Sequence, residues 1–319
     1  MYDSIVTGAA GFIGSTLAER LLADGERVLG IDSFDPYYPA QLKRRNLARA
    51  LENSRYAFRE ADLVAFRLDR CLDRNTRIYH FAGQPGVRGS WGPQFGQYVT
   101  NNILATQALL ERVVRAGHPT RLVYASSSSV YGQQPRGAMG EEVLPNPISP
   151  YGMTKLAAEH LMRSYAGAHE LPLVALRFFT VYGPRQRPDM AFHRFFRWAS
   201  TGAPIEILGT GRQLRDFTYV DDIVEGMHRA AVTDRAVGIY NLGRGAPVPL
   251  MTAVGHIRRI TGTKSPIQRF DRPKGDPDVT WADTRRATKD FGYAPRVDIE
   301  EGLRRQWSWQ QELLRPRSR

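Results

Sequence analysis

Residues 6–22 read VTGAAGFIGSTLAERLL, and the meaning of their three glycines decides the fold. The apolar run SIVTG before them has the texture of a buried strand, and the spacing after them predicts an amphipathic helix from about Phe12 to Asp24. Gly8, Gly11 and Gly14 therefore fall in a strand-to-helix turn. One glycine permits the tight turn, one lets a pyrophosphate approach the backbone, and one lets helix and strand pack closely. Phe12 and Ile13 open the helix, whose unpaired N–H groups and positive dipole end suit phosphate. The spacing is GxxGxxG rather than GxGxxG, so context must carry the reading. That context includes an acid, Asp32, at the end of the next strand, VLGIDSF. A carboxylate there accepts both ribose hydroxyls of NAD and repels a 2′-phosphate. Asp62 and Leu63, in READLV, follow the next strand. They either meet the adenine, or Asp62 merely caps a helix over LVAF.

Further strand-like runs follow: YAFRE, RIYHFAG, RLVYASS and LPLVALRFF. Helical stretches separate them, among them a long one from about Pro93 to Ala116. Continuous apolar strands between helices predict an α/β fold, a doubly wound parallel sheet of Rossmann type covered on both faces. After Phe179 the texture changes, with GPRQRPDM and GTGRQLRDF rich in Gly, Pro and Arg. AVGIYNLG reads as one more sheet strand. From about Pro249 come a helix, a short strand near Ile267, and two helices after Asp283 and Asp298. The expected organisation is an NAD-binding domain over 1–179 with a return near 216–245. A smaller C-terminal α/β substrate-binding region would comprise 180–215 and 246–319.

The composition is that of an ordinary globular protein, 42% hydrophobic and 24% charged. No apolar run is long enough to span a bilayer, so no membrane partner is expected. The N-terminus lacks the basic and apolar regions of a signal peptide. The single cysteine, Cys71, has no partner for an internal disulfide, which fits a reducing compartment and points to the cytoplasm. The net charge is +12. The arginines are dispersed apart from short clusters such as LKRRNL and the tail LLRPRSR, which suits anionic metabolites better than nucleic acid. No HExxH or clustered Cys/His pattern appears, so no metal is implied.

SPYGMTKLAAEHL, residues 149–161, places Tyr151 and Lys155 four apart behind a serine cap and a first-turn proline. They share one helix face. A free phenol titrates near ~10 and is a poor base at neutral pH. A neighbouring ammonium and a cationic nicotinamide ring would favour phenolate. Taken alone, such a pair is usually a solvated helix face.

The motifs TGAAGFIG, HFAGQPGVRGSW, ASSSSVYG, SPYGMTK, LRFFTVYGPRQRPDM and GTGRQLRDFTYVDD occur in this order. Together they resemble the extended short-chain dehydrogenase/reductase family, specifically its nucleotide-sugar epimerases, nearly end to end. The central motifs are most similar to UDP-glucuronate 4-epimerases, with UDP-glucose 4-epimerases next.

The resemblance implies NAD as cofactor, Tyr151 as base and Lys155 as its partner. It also implies Ser127 as the hydroxyl on the sugar O4, with Ser126 or Ser128 in the neighbouring cofactor or sugar shell. Phe81, Ala82, Gly83 and Asn101 would line the cofactor. Thr180 and Arg187 would hold a C6 carboxylate, where UDP-glucose epimerases usually carry asparagine in place of the threonine. Arg215 would bind the UDP diphosphate, joined by Lys274 or Arg272 from DRPKGDPD. Arg88 would face substrate or cofactor. Ser128 and Ser129 stand where 4,6-dehydratases carry Asp-Glu, which argues against dehydration. The implied partners are a UDP-sugar and a second copy of the chain, the homodimer forming through helices around 93–116 and 150–169. The alternatives are a UDP-glucose or UDP-N-acetylglucosamine 4-epimerase and, from another class, a non-catalytic NAD-sensing binding protein.

Overall fold

The computed structural model describes residues 1–118, 120–134 and 137–315, so the last four residues of the basic tail lie outside it. Seven parallel strands form the main sheet. Six are β1 (Ser4–Thr7), β2 (Val28–Asp32), β3 (Tyr56–Glu60), β4 (Arg77–His80), β5 (Arg121–Ser127) and β6 (Leu173–Phe178); the seventh is Gly238–Leu242. Their order is Gly238–Leu242, β6, β5, β4, β1, β2, β3. The chain leaves β1 toward β2 on one side, while β4 returns on the other. This reversal opens a crevice at the carboxyl ends of the strands.

Burial on both faces explains why the strands are continuously apolar. Ile5 and Val6 on β1, and Leu122 and Val123 on β5, are all 0% exposed. Ile5 and Leu122 join the core with Leu109, Leu110 and Val113. Val6 and Val123 join the opposite one with Leu17, Leu21, Ile223 and Met227. Successive side chains point to opposite faces, so one strand feeds two cores.

The helix α1 (Phe12–Ala23) follows the glycine turn, and Gly11 at its cap offers no side-chain partner to the first N–H groups. The helix Pro150–His169 starts as its sequence dictates, with Ser149 Oγ accepting from the Gly152 amide at 3.1 Å. The long helix expected from about Pro93 is not uniform. A 3-10 turn (Gly92–Gln94) and a short α segment (Phe95–Tyr98) lead into a π turn (Val99–Leu104), and regular α-helix runs only from Ala105 to Ala116. In the π turn the Asn102 carbonyl accepts from the Thr106 hydroxyl at 2.7 Å.

Beyond β6 the strands are short. Thr180–Tyr182 pairs with Phe217–Tyr219. Leu214–Arg215 lies between Val248–Pro249 and Val279–Thr280, and Ile205–Leu208 pairs with Ile267–Phe270. The buried Asp216 ties this region together. Its carboxylate accepts from the amides of Arg244 (2.7 Å), Gly245 (2.9 Å) and Ala282 (3.0 Å).

Candidate active site

One cleft lies at the carboxyl ends of the main sheet. Gly8 sits in the turn with φ +69°, and a Cβ there would come within 2.8 Å of the Ala82 amide nitrogen. At Gly14 a Cβ would meet the Gly8 carbonyl oxygen at 2.3 Å. The turn is thus folded tightly against both α1 and the segment after β4, and its bare backbone forms the cleft floor. Asp32 stands beside it, Oδ2 accepting from the Ala10 amide (3.1 Å) and Oδ1 from that of Phe34 (2.8 Å). Gly8, Gly11, Phe12, Ile13, Gly14, Asp32, Asp62, Leu63, Phe81, Ala82, Gly83, Asn101, Ser126, Tyr151 and Lys155 all line this one cleft. They include every residue assigned from sequence to the cofactor.

Tyr151 and Lys155 enter from the first two turns of their helix. The Tyr151 ring meets Tyr98 edge to face, with centroids 6.3 Å apart. Burial pushes the Tyr151 phenol above its ordinary value, while hydrogen bonding to Ser127 and the charge of Arg187 act the other way. Lys155 donates to the Ala125 carbonyl at 2.8 Å and lies 4.7 Å from the centre of the Tyr124 ring. Burial brings its ammonium down to about 8, partly opposed by Glu159 one turn further along. The pair therefore faces the cleft and is not a solvated helix face.

Several assignments change in detail. Ser126 lines the cleft, but its hydroxyl donates to the buried Glu159 carboxylate, so that group serves the core. Asn101 reaches Asp35 and Gln84, both at 3.3 Å. It is Asn102, 1% exposed, that touches the catalytic helix, donating to Thr154 Oγ1 at 2.9 Å and accepting from the Gln84 amide. The π turn explains this, because its wider winding rotates the second asparagine inward. Asp62 caps a turn rather than a helix, its Oδ1 accepting from the Val64 amide at 2.8 Å. Ser127 also accepts from the Ser129 amide, and Ser128 lies in the following 3-10 turn.

Of the residues assigned to the sugar nucleotide, Arg187 reaches the cleft and pairs with Asp189. Thr180 lies in its short strand, its amide bound to the Asp216 carbonyl, and is outside the cleft lining. Arg185 turns away to Ser15 and Glu19 on α1. Arg88 is exposed; desolvation and the charge of Arg194 lower its pKa, against the attraction of Asp276 and Asp189. Arg215 pairs with Asp276 at 2.6 Å, and Arg272 is tied to Asp278. Lys274 is exposed and has no hydrogen-bond partner among the described residues.

Sequence reasoning missed Lys43, Asn46, Tyr37, Tyr38 and Gln84. Lys43 is 6% exposed, 3.8 Å from Asp32, and donates to the Asp35 carbonyl. Asn46 donates to the Ala10 carbonyl of the glycine turn at 3.1 Å. Both stand on the buried face of the helix Ala40–Leu51 with Leu47 and Ala50. Polar residues in phase with an apolar stripe were the available signal; LKRRNL looked instead like a surface cluster.

Comparison with known proteins agrees with this geometry. The family model described as "NAD dependent epimerase/dehydratase family" matches residues 4–243. The chain is 42% identical over 301 residues to a Bacillus subtilis protein named as an uncharacterised UDP-glucose epimerase, covering 94% of this chain and 95% of that one. It is 36% identical over 314 residues to the UDP-glucuronate 4-epimerase of Thermodesulfobacterium geofontis, covering 97% and 96%. The crystal structure of UDP-glucuronic acid 4-epimerase from Bacillus cereus, in complex with UDP-glucuronic acid and NAD, superposes with a TM-score of 0.93. Its identity is 40%, over 97% of this chain and 99% of that one. The chain belongs to the NAD dependent epimerase/dehydratase family, within the extended short-chain dehydrogenases/reductases.

Proposed function

We propose that this protein is a UDP-glucuronate 4-epimerase, interconverting UDP-glucuronate and UDP-galacturonate through a transient 4-keto sugar. The observation that carries this reading is that Tyr151, Lys155 and Arg187 line one cleft with the glycine turn. The cleft fits NAD. Its floor has no room for a Cβ at Gly8 or Gly14, and Asp32 stands where a ribose would lie. NAD, when bound, accepts the C4 hydride and returns it, so no net redox change occurs.

The protein's own groups do the rest. Tyr151 takes the 4-hydroxyl proton and later gives it back. Lys155 stabilises the phenolate by its charge, and Ser127 by a hydrogen bond that also orients O4. Thr180 and Arg187 hold the C6 carboxylate. A carboxylate beside a C4 ketone is a β-keto acid prone to losing carbon dioxide. Holding its C–C bond out of line with the carbonyl π system would suppress that loss.

We assign 1–179 and 216–245 to the cofactor and 180–215 and 246–319 to the sugar nucleotide, with Arg88, Ser128, Arg215 and Lys274 or Arg272 on the substrate side. The working form is read as a cytoplasmic homodimer. Among the described residues no helix is long and apolar enough to cross a membrane.

A UDP-glucose 4-epimerase is the second reading, supported by the 42% identity to the Bacillus subtilis protein named as an uncharacterised UDP-glucose epimerase. Incubation with UDP-glucuronate, UDP-glucose and UDP-N-acetylglucosamine, with products resolved by anion exchange and NMR, separates the two. Formation of UDP-galacturonate with little neutral-sugar turnover is expected. Turnover confined to a neutral sugar would overturn the uronate assignment.

A further inference from the structure

We propose that Asp189, braced by Tyr37, is a positioning residue that orients Arg187 for a ligand carboxylate and so sets the preference for a uronate over a neutral sugar. The inference rests on the reading of Arg187 as the carboxylate partner. A guanidinium has two edges that can each grip a carboxylate. Asp189 takes one of them, accepting from Nε at 3.0 Å and from Nη2 at 2.9 Å. Nη1 is left without a carboxylate partner among the described residues.

The brace comes from a different part of the chain. Tyr37 lies in the loop after β2, and its hydroxyl donates to Asp189 Oδ2 at 3.4 Å. Its ring centre lies 5.9 Å from the Arg187 guanidinium carbon. Tyr37 in turn fits closely against Gly86, where a Cβ would come within 2.4 Å of its hydroxyl. Tyr37 and Arg187 both line the cleft. Two segments far apart in sequence thus fix one arginine whose side chain would otherwise sample many rotamers. A planar carboxylate gains most from a pre-oriented fork, whereas a C6 hydroxyl has no second oxygen to match it.

The test uses full-length NAD-bound enzyme and the variants Asp189→Asn, Tyr37→Phe, Arg187→Ala and Arg187→Ala/Asp189→Asn, with KM and kcat measured on UDP-glucuronate and UDP-glucose. Asp189→Asn should raise KM for UDP-glucuronate about five- to tenfold, with kcat changed by less than about threefold, and lower the uronate-to-glucose preference by a similar factor. Tyr37→Phe should act in the same direction and more weakly. In the Arg187→Ala background, Asp189→Asn should add less than about twofold, because its effect runs through the guanidinium. Losses that multiply in the double variant, or equal losses on both sugars, would overturn the role of Asp189 while leaving the epimerase reading in place. Absence of UDP-glucuronate turnover by the unsubstituted enzyme would instead overturn that reading, and this inference with it.

Discussion

Glu159 and Arg177 form a two-pronged ion pair inside the fold, with Nε and Nη2 of the arginine donating to the two carboxylate oxygens at 3.0 and 2.7 Å. They are 1% and 2% exposed. Glu159 stands one turn beyond Lys155 on the catalytic helix, while Arg177 comes from β6 and packs 4.6 Å from the Tyr131 ring centre. Ser126 on β5 donates to the same carboxylate. The pair therefore joins the helix that carries Tyr151 to β6, and Ser126 ties β5 to the same carboxylate. Removing one partner leaves a buried charge uncompensated. Glu159→Ala should cost about 3–5 kcal/mol in urea unfolding, and Glu159→Met/Arg177→Met should recover most of it. Equal losses in the single and double variants would show that the charge pair is not the cause.

Tyr151→Phe removes the proton acceptor and leaves the ring. It should lower kcat about 10²–10⁴-fold. Copurified NAD, measured after denaturation, should remain. A variant that turns over at the unsubstituted rate would remove Tyr151 from the chemistry.

Lys155 has a folded pKa of about 8, below the ordinary lysine value. Between about pH 8 and 10 the unfolded chain binds more protons at this residue than the folded one, so its contribution to stability rises with pH. Below that window the cost of burying the ammonium is fully present. Thermal melts of the NAD-free protein should show this rise, and Lys155→Met should flatten it. The same variant should be inactive. Parallel stability profiles of the two proteins across the window would contradict the assignment.

Gly14→Ala would place a methyl group 2.3 Å from the Gly8 carbonyl oxygen, and neither backbone can yield without opening the turn. The variant should lose bound NAD and melt at a lower temperature. Calorimetric titration with NAD checks this directly, and unchanged affinity would mean that the turn is looser than its packing indicates.

Phe95, Leu104 and Met153 are 40%, 49% and 53% exposed along the two helical segments expected to pair in a dimer. Light scattering should give twice the chain mass of 36.0 kDa. Leu104→Glu with Met153→Arg should reduce it to one chain with the fold intact. A monomeric unsubstituted protein would rule out the dimer.

Much was legible in the sequence because it is encoded over short distances. The glycine turn, the Ser149–Pro150 helix start, the seven sheet strands and the Tyr151–Lys155 spacing all follow from neighbours within about one helical turn or strand. What the sequence left open were directions of side chains. Ser126 and Ser127 are adjacent on β5, yet one hydroxyl faces the core and the other faces Tyr151, as alternation along a strand requires. Asn101 lines the cleft as expected, while the π turn brings the unanticipated Asn102 against Thr154 and Gln84. Lys43 and Asn46 looked like surface residues until the face they occupy proved to be the one packed on the cofactor cleft.

The sequence by itself therefore determined the sheet and the nucleotide turn, since each depends on local periodicity and backbone sterics, while the reading of Tyr151 as base rested on resemblance. Only the tertiary structure decided which polar groups meet. It buried Glu159 against Arg177, aimed Lys155 at the Ala125 carbonyl, and brought Tyr37 to Asp189 across 152 positions of chain. Such pairings depend on how separate elements dock, where burial makes an unpartnered polar group costly and so fixes its partner.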